Sequence, residues 1–341
     1  MKKKKVTFAD IAEYTNFSKT TISRYFNNPD SLTLENQEKI AKALKELGYQ
    51  ENKIARVLAN GKSEFVGIIV PNLYMHYYSE VMNRILSSYE KYNYKFLVFI
   101  GNNKKEIEEK YIHELLAYKI EGLIVLSNTI SSKELKSYNI PIVTIERESE
   151  YVCSVDTDNY TGSVQATNLL IENNCDILIH INSIFPDNRP TYNRIKGFVD
   201  ICTEKNLKYE LIRDDFGHSY QSTVEKIKDI FNDIDTRYKD EKKGIFLAND
   251  TYANIFLNLV VQKYGKLPEY YRIVGFDNSP ISSESIIPIT TVGQRIDRIA
   301  KETMDLLVLQ MNEMKKRNPK PLEKPIHKQI KPILIKRDTT D

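Results

Sequence analysis

Residues 6–28, VTFADIAEYTNFSKTTISRYFNN, read as two short helices separated by a tight break. Ile11 and Ala12 share one face of the first helix, Asn16 is a residue type that accepts the left-handed conformation of a tight turn, and Ser18 is a good N-cap for the second helix. Ile22 points back at the first helix. Lys19, Thr20, Ser23, Arg24 and Asn27 are left facing outward, all of them hydrogen-bonding types, as a helix lying in the major groove of DNA requires. Taken alone, the same spacing also fits an ordinary helical hairpin with a polar outer face.

Beyond this stretch, Asn28-Pro29-Asp30 is a turn signal, and Thr33 caps a third helix with Glu35 in its first turn. Ile40, Ala43, Leu44 and Leu47 follow at helical spacing until Gly48 stops the run. Residues 1–50 thus make a small three-helix domain whose first and third helices brace the second. Charge is unevenly divided. Residues 1–62 hold 12 Lys+Arg and 7 Asp+Glu, whereas residues 63–341 hold 37 and 39. The basic character belongs to the N-terminal segment, as the footprint of a phosphate-binding module does.

At 341 residues the chain is long enough for two or three domains, and 41% hydrophobic with 28% charged residues is ordinary for a globular protein. The start MKKKK is followed by Asp10 and Glu13 where a secretory signal needs an apolar run, so a cytoplasmic protein is expected. Cys153, Cys175 and Cys202 are odd in number, widely spaced and without metal-ligand spacing, which fits reduced core thiols.

Residues 51–62 contain NKIARVLAN, which has helical spacing but too little apolar surface to be stable alone, and read as a conditional helix or linker. From residue 63 strands and helices alternate. FVGIIV, KFLVFI, GLIVL and PIVTI form one round; DILIHI, YELIR, GIFLA and RIVGF form a second. This alternation implies parallel sheets covered by helices, in two similar lobes, with a ligand cleft at the carboxyl ends of the strands.

Catalytic, metal and cofactor signatures are missing from the sequence. The histidines at 76, 113, 180, 218 and 327 lie on different elements without ligand spacing, and Pro71-Asn72 stand where a glycine-rich phosphate loop would follow the first strand. No nucleophile elbow is present. Polar and aromatic residues instead cluster after strand ends: Asn72 and Tyr74, Glu146 and Arg147, Arg194, Phe216, Asn249 and Asp250, Asp277 and Asn278. Carboxylates and amides for vicinal hydroxyls, a guanidinium fork and an aromatic face suit a polyhydroxylated ligand. Asn and Asp also cap helices and make turns, and Asp158 and Asp250 look like caps.

These residues resemble the lactose-repressor (LacI/GalR-type) family of bacterial transcription regulators almost end to end. Residues 6–28 match its helix-turn-helix, YQENKIARVLANGKS its hinge, and VGIIVPN, IPIVTIER, VDTDNYTGSVQAT, NRIKGF, FLANDTYA, RIVGFDNS and PITTVGQ its effector-binding core. The resemblance implies an α/β protein with an N-terminal three-helix helix-turn-helix headpiece (1–50), a hinge (51–62) and a periplasmic-binding-protein-like core of two Rossmann-like lobes (63–341). The N-lobe is expected to span about 63–160 and 292–324, the C-lobe about 161–291 and 325–341.

Position by position, the resemblance places Lys19, Thr20 and Arg24 at base edges. Thr7, Phe8, Ser18, Ser23 and Asn27 fall at or beside the phosphates, and Asn52, Ala55 and Leu58 in the hinge, where Leu58 would wedge into the minor groove. In the core, Asn72, Tyr74, Tyr77, Glu146, Arg194, Phe216, Asn249 and Asp277 fall at effector-binding positions, with Glu146 in place of the more usual aspartate. The implied function is a homodimeric repressor of carbohydrate-utilisation genes, released from a palindromic DNA operator by a sugar or sugar-phosphate effector. The alternative within the family is a corepressor type, whose DNA binding a purine or a phosphorylated carrier protein strengthens. Outside it stand a solute-binding protein, which would lack the headpiece, and a sugar-acting enzyme using Glu146 with Asp277. No leucine heptad follows Ile335, so a dimer is the simpler expectation than a tetramer.

Overall fold

The computed structural model describes residues 6–50, 63–147, 149–217, 219–320 and 322–341. Two units separate between Lys62 and Ser63. In the first, α1 (Phe8–Thr15), α2 (Lys19–Asn27) and α3 (Leu34–Glu46) enclose Ile11, Ala12, Ile22, Ile40 and Ala43. Local chemistry fixes the ends of these helices. Asn16 has φ 58°, so the backbone reverses and Phe17 N–H returns to Ala12 O at 3.1 Å. Ser18 Oγ accepts from Thr21 N–H at 3.1 Å, and Thr33 Oγ1 from Asn36 N–H at 3.3 Å. Gly48, at φ 62°, ends the third helix.

The second unit holds two six-stranded sheets. The N-lobe sheet has the order β11-β5-β4-β3-β1-β2, built from β1 (Phe65–Val70), β2 (Lys95–Ile100), β3 (Gly122–Val125), β4 (Ile142–Ile145), β5 (Cys153–Thr157) and β11 (His327–Ile330). The C-lobe sheet has the order β12-β10-β9-β8-β6-β7, from β6 (Ile177–Ser183), β7 (Tyr209–Asp214), β8 (Lys243–Leu247), β9 (Tyr271–Asp277), β10 (Thr290–Gly293) and β12 (Ile333–Ile335). Every pairing is parallel except that of β10 with β12. Helices cover both faces of each sheet. In the N-lobe, His76–Leu86 and Ile296–Met314 pack on one face and Lys105–Ala117 on the other, around Val66, Ile68, Ile124 and Leu307 and around Ile69, Ile112 and Leu115 respectively.

The chain passes between lobes three times, and the last passage corrects the expected boundary. Residues 327–330 belong to the N-lobe sheet, not the C-lobe: His327 pairs with Ser154 and Ile330 with Thr157. β5 would otherwise expose an unpaired edge, and β11 covers it. Likewise β10 runs to Gly293 beside β9, so the second passage falls at Gln294 rather than 292. Among the described residues no helix is long and apolar enough to cross a membrane.

Candidate functional site

A cavity of about 370 Å³ opens between the lobes at the carboxyl ends of the strands. Its floor is a ring of hydrogen bonds completed by one ion pair. Glu146, held at φ 53° just after β4, accepts from Thr157 N–H and from Asn159 Nδ2 at 2.8 Å. Asn159 Oδ1 accepts from Arg194 Nε at 2.7 Å, and Arg194 also donates to Ala248 O at 2.5 Å. The guanidinium lies 3.7 Å from Asp277 Oδ1 and stacks 3.7 Å above the Phe276 ring centroid. Gln294 Nε2 donates to Asp277 Oδ1 at 2.5 Å, and Thr157 Oγ1 donates to Gln294 Oε1 at 2.6 Å, which closes the ring on Glu146. Both lobes and two of the crossover segments contribute. Burial pushes the Asp277 carboxyl well above the usual carboxylate range, against the opposing pull of Arg194. Its backbone, at φ 116°, is a conformation that non-glycine residues rarely adopt, and the ring holds it there.

The walls are aromatic. Tyr74, Tyr77 and Tyr78 line the N-lobe side, with the last two rings 5.5 Å apart, while the Phe216 and Tyr252 rings meet at a tilt, 4.5 Å apart, on the C-lobe side. The Tyr77 hydroxyl is buried and has no hydrogen-bond partner among the described residues. His76 Nδ1 lies 3.0 Å from Thr251 Oγ1 and ties the first N-lobe helix to the C-lobe beside the cavity.

All eight residues that the sequence singled out for the effector line this cavity. Two of them also serve locally: Asn72 Oδ1 accepts from Met75 N–H at 3.1 Å, and Asn249 Oδ1 caps the helix Asp250–Tyr264 through Tyr252 N–H at 2.9 Å. Asp250 is therefore not the cap it looked like. Its fully buried carboxylate accepts from Ser279 N–H at 2.8 Å and Thr291 Oγ1 at 2.6 Å, tying the start of this helix to the segment after β9 and to β10. Arg147 turns away from the cleft, and Asn278 Oδ1 accepts from Arg337 at 2.7 Å. Asp158 does cap its helix, through Thr161 N–H at 3.0 Å. Sequence reasoning missed Asn159, Tyr252 and Gln294, although each sits in a stretch that carried the family resemblance. Asn182 gave no signal, because it lies within β6.

In the first unit, Lys19, Thr20 and Arg24 project from α2 into solvent, and neither cation pairs with a carboxylate among the described residues. Asn27 Nδ2 donates to Ser23 Oγ at 3.1 Å, Ser18 is engaged as the cap, and Thr7 N–H and Oγ1 both donate to Asp10 at 2.7 Å. Phe8 stacks on Phe26 with centroids 5.2 Å apart and meets Tyr49, so its ring also serves the domain core. Asn52, Ala55 and Leu58 lie outside the described residues.

Comparison with known proteins agrees with this geometry. The pattern of bacterial regulatory proteins of the lacI family matches residues 7–52, that of periplasmic binding proteins and sugar binding domains of the LacI family matches 63–209, and that of periplasmic binding protein-like domains matches 167–340. The chain belongs to the LacI family of bacterial regulatory proteins. Among similar relatives, the regulator is 26% identical to a ribose operon repressor of Halalkalibacterium halodurans, covering 98% of this chain and 97% of that one. It is 26% identical to a sucrose operon repressor of Pediococcus pentosaceus, over 89% and 92%. Its fold matches that of the lac repressor dimer bound to operator and the anti-inducer ONPF, with a TM-score of 0.81 at 21% identity, over 99% of both chains. Family membership makes the regulator a DNA-binding transcription factor with an effector-binding core.

Proposed function

We propose that this regulator represses carbohydrate-utilisation genes as a homodimer in the cytoplasm and leaves a near-palindromic operator when a sugar or sugar phosphate fills the cleft. The observation that carries the reading is the floor ring of Glu146, Asn159, Arg194, Asp277, Gln294 and Thr157, which joins both lobes and offers its outward faces beside aromatic walls. A polyol is the ligand whose vicinal hydroxyls meet such a set and whose C–H faces stack on tyrosine and phenylalanine. The names of the two relatives support a sugar effector. Lys19, Thr20 and Arg24 read base edges, the neighbouring hydroxyls and Asn27 hold phosphates, and Leu58 wedges the minor groove. The cleft is read as a binding site: Glu146 is engaged by Thr157 N–H and Asn159 Nδ2, and Asp277 by Gln294 Nε2 and the Arg194 guanidinium, as parts of one floor.

Effector and operator favour different lobe arrangements, so each weakens the other by the same factor. Operator DNA selected from random sequence, titrated with protein in the presence of D-ribose, sucrose, D-gluconate, cellobiose and their phosphates, tests this. Release by one of them is the expected result. A ligand that tightens DNA binding would make the protein a corepressor type, and no response to any would refute the sugar reading.

A further inference from the structure

Beside the tyrosines that follow β1, the loops after β2, β3 and β4 supply part of the N-lobe share of the cleft wall, through Asn103, Asn128, Thr129 and Glu146. Behind them, away from the cavity, lies a carboxylate that the effector reading does not use. Glu108 sits in the helix Lys105–Ala117 on the same inner face as Ile112 and Leu115, and it is fully buried. A charged residue on such a stripe is costly unless something specific needs it. One of its oxygens accepts from Ser127 Oγ at 2.7 Å and from Thr129 Oγ1.

Arg147, also fully buried, holds the same loop from its carbonyl side, donating to Ser127 O at 2.5 Å and to Ile130 O. Gly101, which precedes Asn103, packs directly on Glu108: a Cβ at position 101 would collide with the Glu108 side chain. Three cleft loops therefore meet on one buried pair. Arg147 also directly follows Glu146, whose left-handed backbone aims its carboxylate at the cavity floor.

We propose that Glu108, acting with Arg147, is a positioning residue for effector binding, setting the 127–130 loop and the turn at Glu146 before any ligand arrives. Pre-set cleft loops spare the ligand the ordering that a loose loop would demand. The inference rests on the cleft being the effector site.

The test uses the full-length chain and two substitutions. Both loop hydroxyls donate to one oxygen, so Glu108→Gln, whose carbonyl takes that place, keeps both bonds; Glu108→Leu keeps bulk and loses both. Calorimetric titration with D-ribose, sucrose, D-gluconate and cellobiose measures effector affinity, and a separate titration measures operator affinity without sugar. Glu108→Leu should weaken the sugar that binds by about tenfold or more, Glu108→Gln by under about threefold, with operator affinity unchanged in both. If Glu108→Leu does not fold, Arg147→Met should give the same split. Unchanged sugar affinity, or equal loss of sugar and operator binding, would overturn the positioning role alone. If the wild type binds none of the four, the effector reading falls and takes this inference with it.

Discussion

Replacing Tyr77 by Phe removes one oxygen whose position makes two opposite demands. The hydroxyl is buried at the cavity wall, meets no partner among the described residues, and sits on a ring that is only 8% exposed. A buried hydroxyl without a partner costs on the order of 1–3 kcal/mol relative to a satisfied one, so its loss should not destabilise the free protein and should stabilise it by about 1 kcal/mol. For a core of this size that is a rise of about 2 °C or less in unfolding temperature. If a sugar hydroxyl supplies the missing partner, the same substitution removes about 0.5–1.5 kcal/mol of binding, or up to about tenfold in affinity. Differential scanning calorimetry of the ligand-free protein and isothermal titration with the active sugar read the two effects separately. A fall in unfolding temperature would show that the hydroxyl is satisfied within the fold. Unchanged sugar affinity would show that it does not face the ligand.

Other outcomes follow from particular side chains. Arg24→Ala should lose about 1–3 kcal/mol on operator and relax preference at one base pair; equal loss on all sequences would reassign the residue to phosphate. Asn16 holds φ 58°, so Asn16→Gly should be nearly neutral in thermal unfolding while Asn16→Val destabilises the headpiece by about 1–2 kcal/mol. His180 is buried beside Phe246, and burial pushes its pKa down to about 3. The folded state therefore refuses a proton that the unfolded chain takes below about 6.5, and stability falls as pH drops from there towards 3. The difference in stability between wild type and His180→Phe should shift against wild type by about 2 kcal/mol between pH 7 and 5 in urea melts; a pH-independent difference would mean that His180 is not held neutral. Arg194→Lys should abolish measurable sugar binding, because one ammonium cannot replace contacts to Asn159, Ala248 and Asp277 together.

The eight strands visible in the sequence are those with apolar runs, such as FVGIIV and KFLVFI. The four that escaped, CSVDT, TTVG, HKQI and ILI, are short or rich in Ser, Thr and charge. Their pairing comes from a neighbour's edge, not from their own pattern. β11 shows the consequence, since nothing within HKQI says which lobe it joins. The cleft residues were legible mainly through the family resemblance. Glu146, Arg194 and Asp277 stand at strand or helix ends, where polar residues are conspicuous, but Asn249 and Asp250 exchange cap and buried roles in a way that only packing decides. Glu108 was invisible because a glutamate on a helix reads as solvated until the fold places it against a loop.

The three passages between lobes carry a consequence for synthesis. β11 completes the edge of a sheet whose first strand begins at Phe65, yet it is translated after all of the other lobe's strands except β12. On the ribosome the N-lobe must wait with an open β5 edge for more than half the chain to emerge. A polypeptide cut short before residue 330 would present that open edge to other molecules, and such edges are sites of aggregation.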